Sequence, residues 1–203
     1  MIGRLKAYFL ENFRGSSFLR QKQADSFFYY VLGSLIALTV LLFAVTLLVQ
    51  SYLVFIVPLI LSVMLTSLIS LFLLRAGWYD SAVNILTAVL LLALITGTFM
   101  RLHLSPGTIH APGFYLLFIV IMQAALFCSR RFVIAFSAVI LIADLVFYLK
   151  VREGVPPDSL SIVRISAIYV AISVFILTYL SQLFTDIFNS ALKKLEAELT
   201  VNV

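Results

Sequence analysis

The 203 residues are 63% apolar and 11% charged, with a mean hydropathy of +1.14. That composition excludes a soluble globular domain and fits a polytopic all-α membrane protein, because so little polar surface cannot cover a water-facing fold. The formal charge of +5 comes from basic residues scattered among the ends of apolar runs, which argues against a nucleic-acid partner and for contact with the lipid bilayer.

Residues 1–24 form an amphipathic, net basic lead-in. Ile2, Leu5, Phe9 and Phe13 share one helical face, with Arg4, Lys6 and Arg14 elsewhere, so a helix lying in the headgroup plane is expected. Gly15 is placed to end it, and Ser16-Ser17 to start the next segment. Arg20 and Lys22 precede the first span, within reach of lipid phosphates. No cleavable signal peptide is expected, since the first apolar run is long enough to span.

The apolar stretch from Phe27 to Leu74 would reach about 70 Å as one helix, against a hydrocarbon core of roughly 30 Å. Its polar break at Gln50-Ser51-Tyr52 predicts a tight hairpin, with spans near 27–49 and 53–74. Pro58 then falls in the first turns of the second span, where its missing N–H costs least. A third span is expected near 82–100, with Trp78 and Tyr79 in an interfacial belt before it. The segment RLHLSPGTIHAPG reads as a loop. The fourth span, near 114–128, is short and must borrow loop residues or dip at its end. Ser129-Arg130-Arg131 turns into a fifth span near 132–149, and KVREGVPPDSLSIVR leads to a sixth near 165–183. A cytoplasmic helix, 184–203, completes the chain around the six-span bundle of 25–183.

Six spans put both termini on one side. Arg4, Lys6, Arg14, Arg20, Lys22, Arg75, Arg130, Arg131, Lys193 and Lys194 lie on that side, leaving Arg101, Lys150, Arg152 and Arg164 opposite. The positive-inside rule therefore makes it cytoplasmic, in a cell (inner) membrane. Through the last span and beyond it, apolar residues recur at Leu177, Leu180, Phe184, Phe188, Leu192, Leu195 and Leu199 in steps of three or four, one stripe on one helix face. Leu192, Leu195 and Leu199 are the expected seam of a homodimer.

Chemistry-bearing residues are few. Asp144 is the acid well inside a span, where a carboxylate must find a partner or a wet cavity. A structural hydrogen bond and a ligand, ion or proton site are both open for it. A ligand site of Asp144, Tyr148, Arg164, Tyr169 and Gln123 is expected near the outer ends of spans 4–6. Gln123 and Asn84 also suit interhelical hydrogen bonds, and Gly33-x3-Ala37 and Ala93-x3-Gly97 permit close helix approach. His103 and His110 are weak metal candidates, since their spacing across Pro and Gly matches no fixed ligand geometry. Cys128, the one cysteine, excludes an intrachain disulfide and reads as a small residue near a span end. There is no phosphate-binding loop, no H-E-x-x-H and no membrane-embedded carboxylate cluster, so catalysis by this chain and a cofactor are not expected, and there is no selectivity-filter sequence or voltage-sensor Arg ladder.

A basic cytoplasmic lead-in (Leu19-Arg20-Gln21-Lys22), short loops and a last span prolonged as a helix resemble the six-helix membrane modules of bacterial signalling proteins. Those precede histidine kinase, class III adenylyl cyclase, diguanylate cyclase or chemoreceptor output domains. The resemblance implies a receptor or regulatory anchor whose last helix signals to an output domain, which does not follow Leu199 within this chain. The alternative is a small transporter, channel or accessory membrane subunit, with Asp144 on the substrate path.

Overall fold

The computed structural model describes residues 2–48, 53–104, 113–156 and 160–201. They form α1 (Ile2–Phe9), a single 3-10 turn (Glu11–Phe13), α2 (Phe18–Leu48), α3 (Leu53–Arg75), α4 (Tyr79–Leu104), α5 (Gly113–Phe127), α6 (Arg130–Gly154) and α7 (Leu160–Val201). No strand occurs among the described residues. The fold is all-α, as an apolar chain requires when each backbone polar group must be satisfied within its own segment.

Among the described residues, five helices are long and apolar enough to cross a membrane: those within α2, α3, α4, α6 and α7. The expected fourth span is the exception. As α5 it has 15 residues, about 22 Å of rise, short of the hydrocarbon core.

Several helices overrun their apolar windows. α2 starts at Phe18 rather than near 27, and α7 at Leu160 rather than near 165. α4 continues through Arg101 to Leu104, residues expected in a loop, and α6 reaches Gly154. α6 runs on until breakers stop it, with Gly154 as its last residue and Pro156 two positions beyond. The hairpin expected at 50–52 lies outside the described residues.

The lead-in departs from the single amphipathic helix expected of it. α1 ends at Phe9 and the chain tightens into the 3-10 turn, so Phe13 is buried rather than aligned on a lipid-facing stripe. Ser17, as expected, opens α2: its hydroxyl accepts the Arg20 N–H at 3.4 Å, and its carbonyl accepts the Gln21 N–H at 3.0 Å.

The chain divides into two compact units, Met1–Val89 with Leu183–Val203, and Leu90–Gln182. In the first, α2 packs along α3 and α1 lies against α3. Its core gathers at one end of the helices: Ala24, Phe27, Phe28 and Val31 of α2, Leu71 and Leu74 of α3, and Tyr79, Ala82, Val83 and Leu86 of α4. Ile36, Val40, Phe43 and Leu47, further along α2, are exposed apolar side chains suited to lipid contact. Gly33 opens onto free space, so no close helix approach occurs there among the described residues.

In the second unit α5 packs on α6 across the Cys128-Ser129 turn. α6 turns Val133, Phe136, Ser137, Ile140, Ala143, Asp144, Phe147 and Val151 inward, the three-and-four spacing of one helix face. Leu117, Val120, Ile121 and Ala124 of α5 are fully buried.

Candidate functional site

Asp144 sits on the inward face of α6 and is 7% exposed. One turn on, Phe147 meets Phe99 of α4 edge to face, with ring centroids 5.9 Å apart. Among the described residues no hydrogen bond or ion pair reaches the Asp144 carboxylate. Gln123 is buried on α5 and is hydrogen-bonded or otherwise engaged. Tyr148 is half-buried, Arg164 is exposed, and Tyr169 is 67% exposed. Asp144 and Gln123 thus turn inward while Arg164 and Tyr169 turn outward. The physical reason is phase: Arg164 and Tyr169 lie on an outward face of α7, whereas Val163, Val170 and Val174 hold its inward one.

Polar contacts do tie the helices of this unit together. The Ser137 and Thr178 hydroxyls are 2.7 Å apart, joining α6 to α7. Each also lies within reach of a carbonyl one turn back, Val133 at 2.9 Å and Val174 at 2.7 Å. Two hydroxyl hydrogens cannot serve three bonds, so one backbone bond yields whenever the Ser–Thr bond is made. The Ser181 hydroxyl adds a weak contact to the Met122 sulfur at 3.7 Å.

No group of three or more metal-binding side chains occurs among the described residues. His110, and the side chains of His103, Leu192, Leu195 and Leu199, lie outside them.

The best-defined polar arrangement is one that the sequence pattern did not reveal. It joins the lead-in to α2, α3 and α4 in the first unit. Arg20 donates from both terminal nitrogens to Asp80, at 2.6 and 3.2 Å, and its guanidinium stacks 4.2 Å from the Tyr79 ring centroid. Tyr79, expected in a lipid-facing belt, is only 1% exposed and packs edge-on against Phe13 and Phe27. Its neighbour Trp78 is 64% exposed, consistent with that belt. Lys6 donates to Asp25 at 2.7 Å and lies over the Tyr29 ring. Accepting that hydrogen bond, Asp25 holds the Lys6 ammonium above the usual lysine range, against a smaller opposing effect of burial.

The turn between α3 and α4 completes the arrangement. The Trp78 N–H donates to the Leu73 carbonyl and the Gly77 N–H to the Leu74 carbonyl, both at 2.9 Å, closing α3 in a Schellman motif. Gly77 has φ +84°, which favours a residue without Cβ. The next free carbonyl, that of Arg75, accepts the Asn12 side-chain amide at 2.6 Å. The lead-in thus caps α3, while the Arg75 guanidinium stacks 3.5 Å from the Tyr8 ring centroid. The overlooked signal was acidic: Asp25 and Asp80 stand at the same helix ends as the basic residues.

No protein-family model, curated protein or solved structure matches the chain.

Proposed function

We propose that this chain is a membrane receptor or regulatory anchor module that transmits a signal through its last helix to a cytoplasmic output domain or partner. The observation that carries this reading is the unbroken course of α7. Its 42 residues contain no Gly or Pro and rise about 60 Å, twice the depth of the hydrocarbon core. A stiff helix longer than the bilayer is thick can convert a rotation or shift within the membrane into one outside it.

The rest of the reading follows from that rod. Leu180, Phe184 and Phe188, three members of the α7 stripe, are exposed, so the stripe is free to meet lipid or a second copy. We take the partner to be a second α7 in a parallel homodimer, with Leu192, Leu195 and Leu199 as the seam beyond the bilayer. Both termini are cytoplasmic in the inner membrane of a bacterial cell, with α5 as a short sixth crossing. The chain itself performs no catalysis.

The test is mechanical. A kinase reporter domain is fused after Val203, and one to four alanines are inserted after Ser190. Each insertion turns the helix beyond it by about 100°. Reporter activity should vary with the helical period across the series. A flat response would sink the signalling reading.

Asp144 favours a second reading. A carboxylate buried within a span is costly and commonly marks an ion or substrate path. A small transporter, channel or accessory subunit would use it there, and would keep its function whatever the phase of α7.

A further inference from the structure

A cavity of about 400 Å³ opens between the lead-in and the first two turns of α2. Leu10, Phe13 and Phe18 supply apolar lining, and Lys6, Arg14, Lys22 and Asp25 line it with charge. Lys6 and Asp25 neutralise each other through their 2.7 Å pair. Arg14 and Lys22 have no acidic partner among the described residues. The cavity therefore carries two uncompensated positive charges beside an apolar wall.

Its shape is held in place. The Gln21 side-chain amide donates to the Arg14 carbonyl at 2.8 Å and the Ser16 carbonyl at 3.1 Å, pinning the connecting loop to α2. The Ser16 hydroxyl donates to the Phe13 carbonyl at 2.7 Å, closing the turn below. The Arg14 side chain is thereby presented at the rim from a fixed backbone.

The level of the cavity is set by α2. Gln21, Lys22 and Asp25 lie within about 9 Å of Phe27 along the helix axis, where the continuous apolar run begins. The headgroup layer of a bilayer is roughly 5–8 Å deep on each side. The cavity thus opens at the depth of the lipid phosphates.

We infer that this cavity binds the phosphate of an anionic phospholipid headgroup, with Arg14 and Lys22 as its charge partners and Leu10, Phe13 and Phe18 against the glycerol and upper acyl chain. Inorganic phosphate shares the anionic chemistry, but it would gain nothing from the apolar wall or from the depth of the site. The inference is independent of the signalling reading, since a transporter or structural subunit could hold the same lipid.

The experiment uses the whole chain in nanodiscs of equal phosphatidylglycerol and phosphatidylcholine, with retained lipid counted by native mass spectrometry. Phosphatidylglycerol should be retained preferentially, and R14Q/K22Q should lose that preference, by about fivefold per charge removed. A7F, which fills the cavity from α1 without changing charge, should lose it too. Both Arg14 and Lys22 are exposed, and thermal melting checks that the fold survives. Should R14Q/K22Q not fold, R14Q and K22Q singly carry the same expectation. Equal retention of the two lipids by the native chain would overturn the inference. Preference lost in R14Q/K22Q but kept in A7F would also overturn it, by reducing the effect to diffuse surface charge. In detergent free of anionic lipid, inorganic phosphate binding that R14Q/K22Q abolishes, without phosphatidylglycerol preference in nanodiscs, would overturn the lipid assignment.

Discussion

Arg20 grips Asp80 with both terminal nitrogens while its guanidinium carbon sits 4.2 Å over the Tyr79 ring centroid, so one side chain of α2 holds two consecutive residues of α4. Asp80 is largely exposed, so the ion pair alone is worth no more than about 1 kcal/mol. The stack on a buried ring adds about 0.5–2 kcal/mol. Lysine can reproduce the charge but neither the fork nor the stack. R20K should therefore destabilise the first unit more than D80N does. Thermal unfolding in bicelles, with the double variant closing the cycle, measures the coupling.

Tyr79 and Trp78 are adjacent but have opposite surroundings, and substitution should separate them. Y79A removes a ring packed on Phe13, Phe27 and Arg20, and should cost about 3–5 kcal/mol. W78A removes an exposed ring and should change stability by less than about 0.5 kcal/mol. Comparable losses from the two would mean that Tyr79 is not part of the core.

The end of α3 depends on two residues distant in sequence. G77A forces a Cβ into a positive-φ position and should cost about 1–2 kcal/mol. N12A leaves the Arg75 carbonyl without its side-chain donor, a loss of about 1 kcal/mol. N12A should also free α1, which a nitroxide at Ile2 would report as faster motion. Unchanged mobility would show that α1 is held without Asn12.

The helical fold and the positions of most long apolar helices were legible because apolar runs longer than a bilayer is deep admit few alternatives. The polar contacts were not. Basic residues at span ends suit lipid phosphate, yet Lys6 and Arg20 meet Asp25 and Asp80. Those pairs join residues 19 and 60 positions apart, so no local periodicity announces them. Tyr79 misled for a related reason: an aromatic at a span end suits either a lipid belt or a core, and only tertiary packing decides. Asp144 was legible as an inward residue, since a carboxylate avoids hydrocarbon, but its surroundings depend on the rotation of α7, which spacing alone left open.

Alkaline pH should loosen the lead-in. Lys6 has its affinity for the proton raised by Asp25, so its contribution to stability is fully present below the ordinary lysine value of about 10.5. It is lost as pH rises through the higher folded-state value. The same nitroxide at Ile2 should become more mobile above that point. In D25N it should be more mobile throughout, with a transition shifted to lower pH. An identical profile in D25N would remove the pair from the account.

The number of crossings turns on α5. At 15 residues it is short for a span, yet the distribution of Lys and Arg favours an even count with both termini cytoplasmic. Single cysteines at His103, Ser129 and Asp158, in a Cys128-free background, should label from outside, inside and outside respectively. Outside labelling at 129 would make α5 a segment that dips and returns.

Asp144 provides the last test, because its two readings make opposite predictions for one substitution. The carboxylate is buried in a span, and no partner for it occurs among the described residues. D144N keeps the size and a hydrogen-bonding end while removing the costly charge. A residue retained for function should give a variant at least as stable as the native chain, because the charge contributed nothing to the fold. Its helical reporter fusion, or any transport activity, should then be impaired. A residue retained as a structural clasp should instead give an unstable variant. D144L sharpens the distinction, since an apolar side chain of the same branched shape removes the buried charge but cannot replace a clasp. Melting points for both variants, read beside Q123A as a variant that removes an engaged buried amide, decide between them. Stable, fully active D144N and D144L variants would exclude Asp144 from both roles.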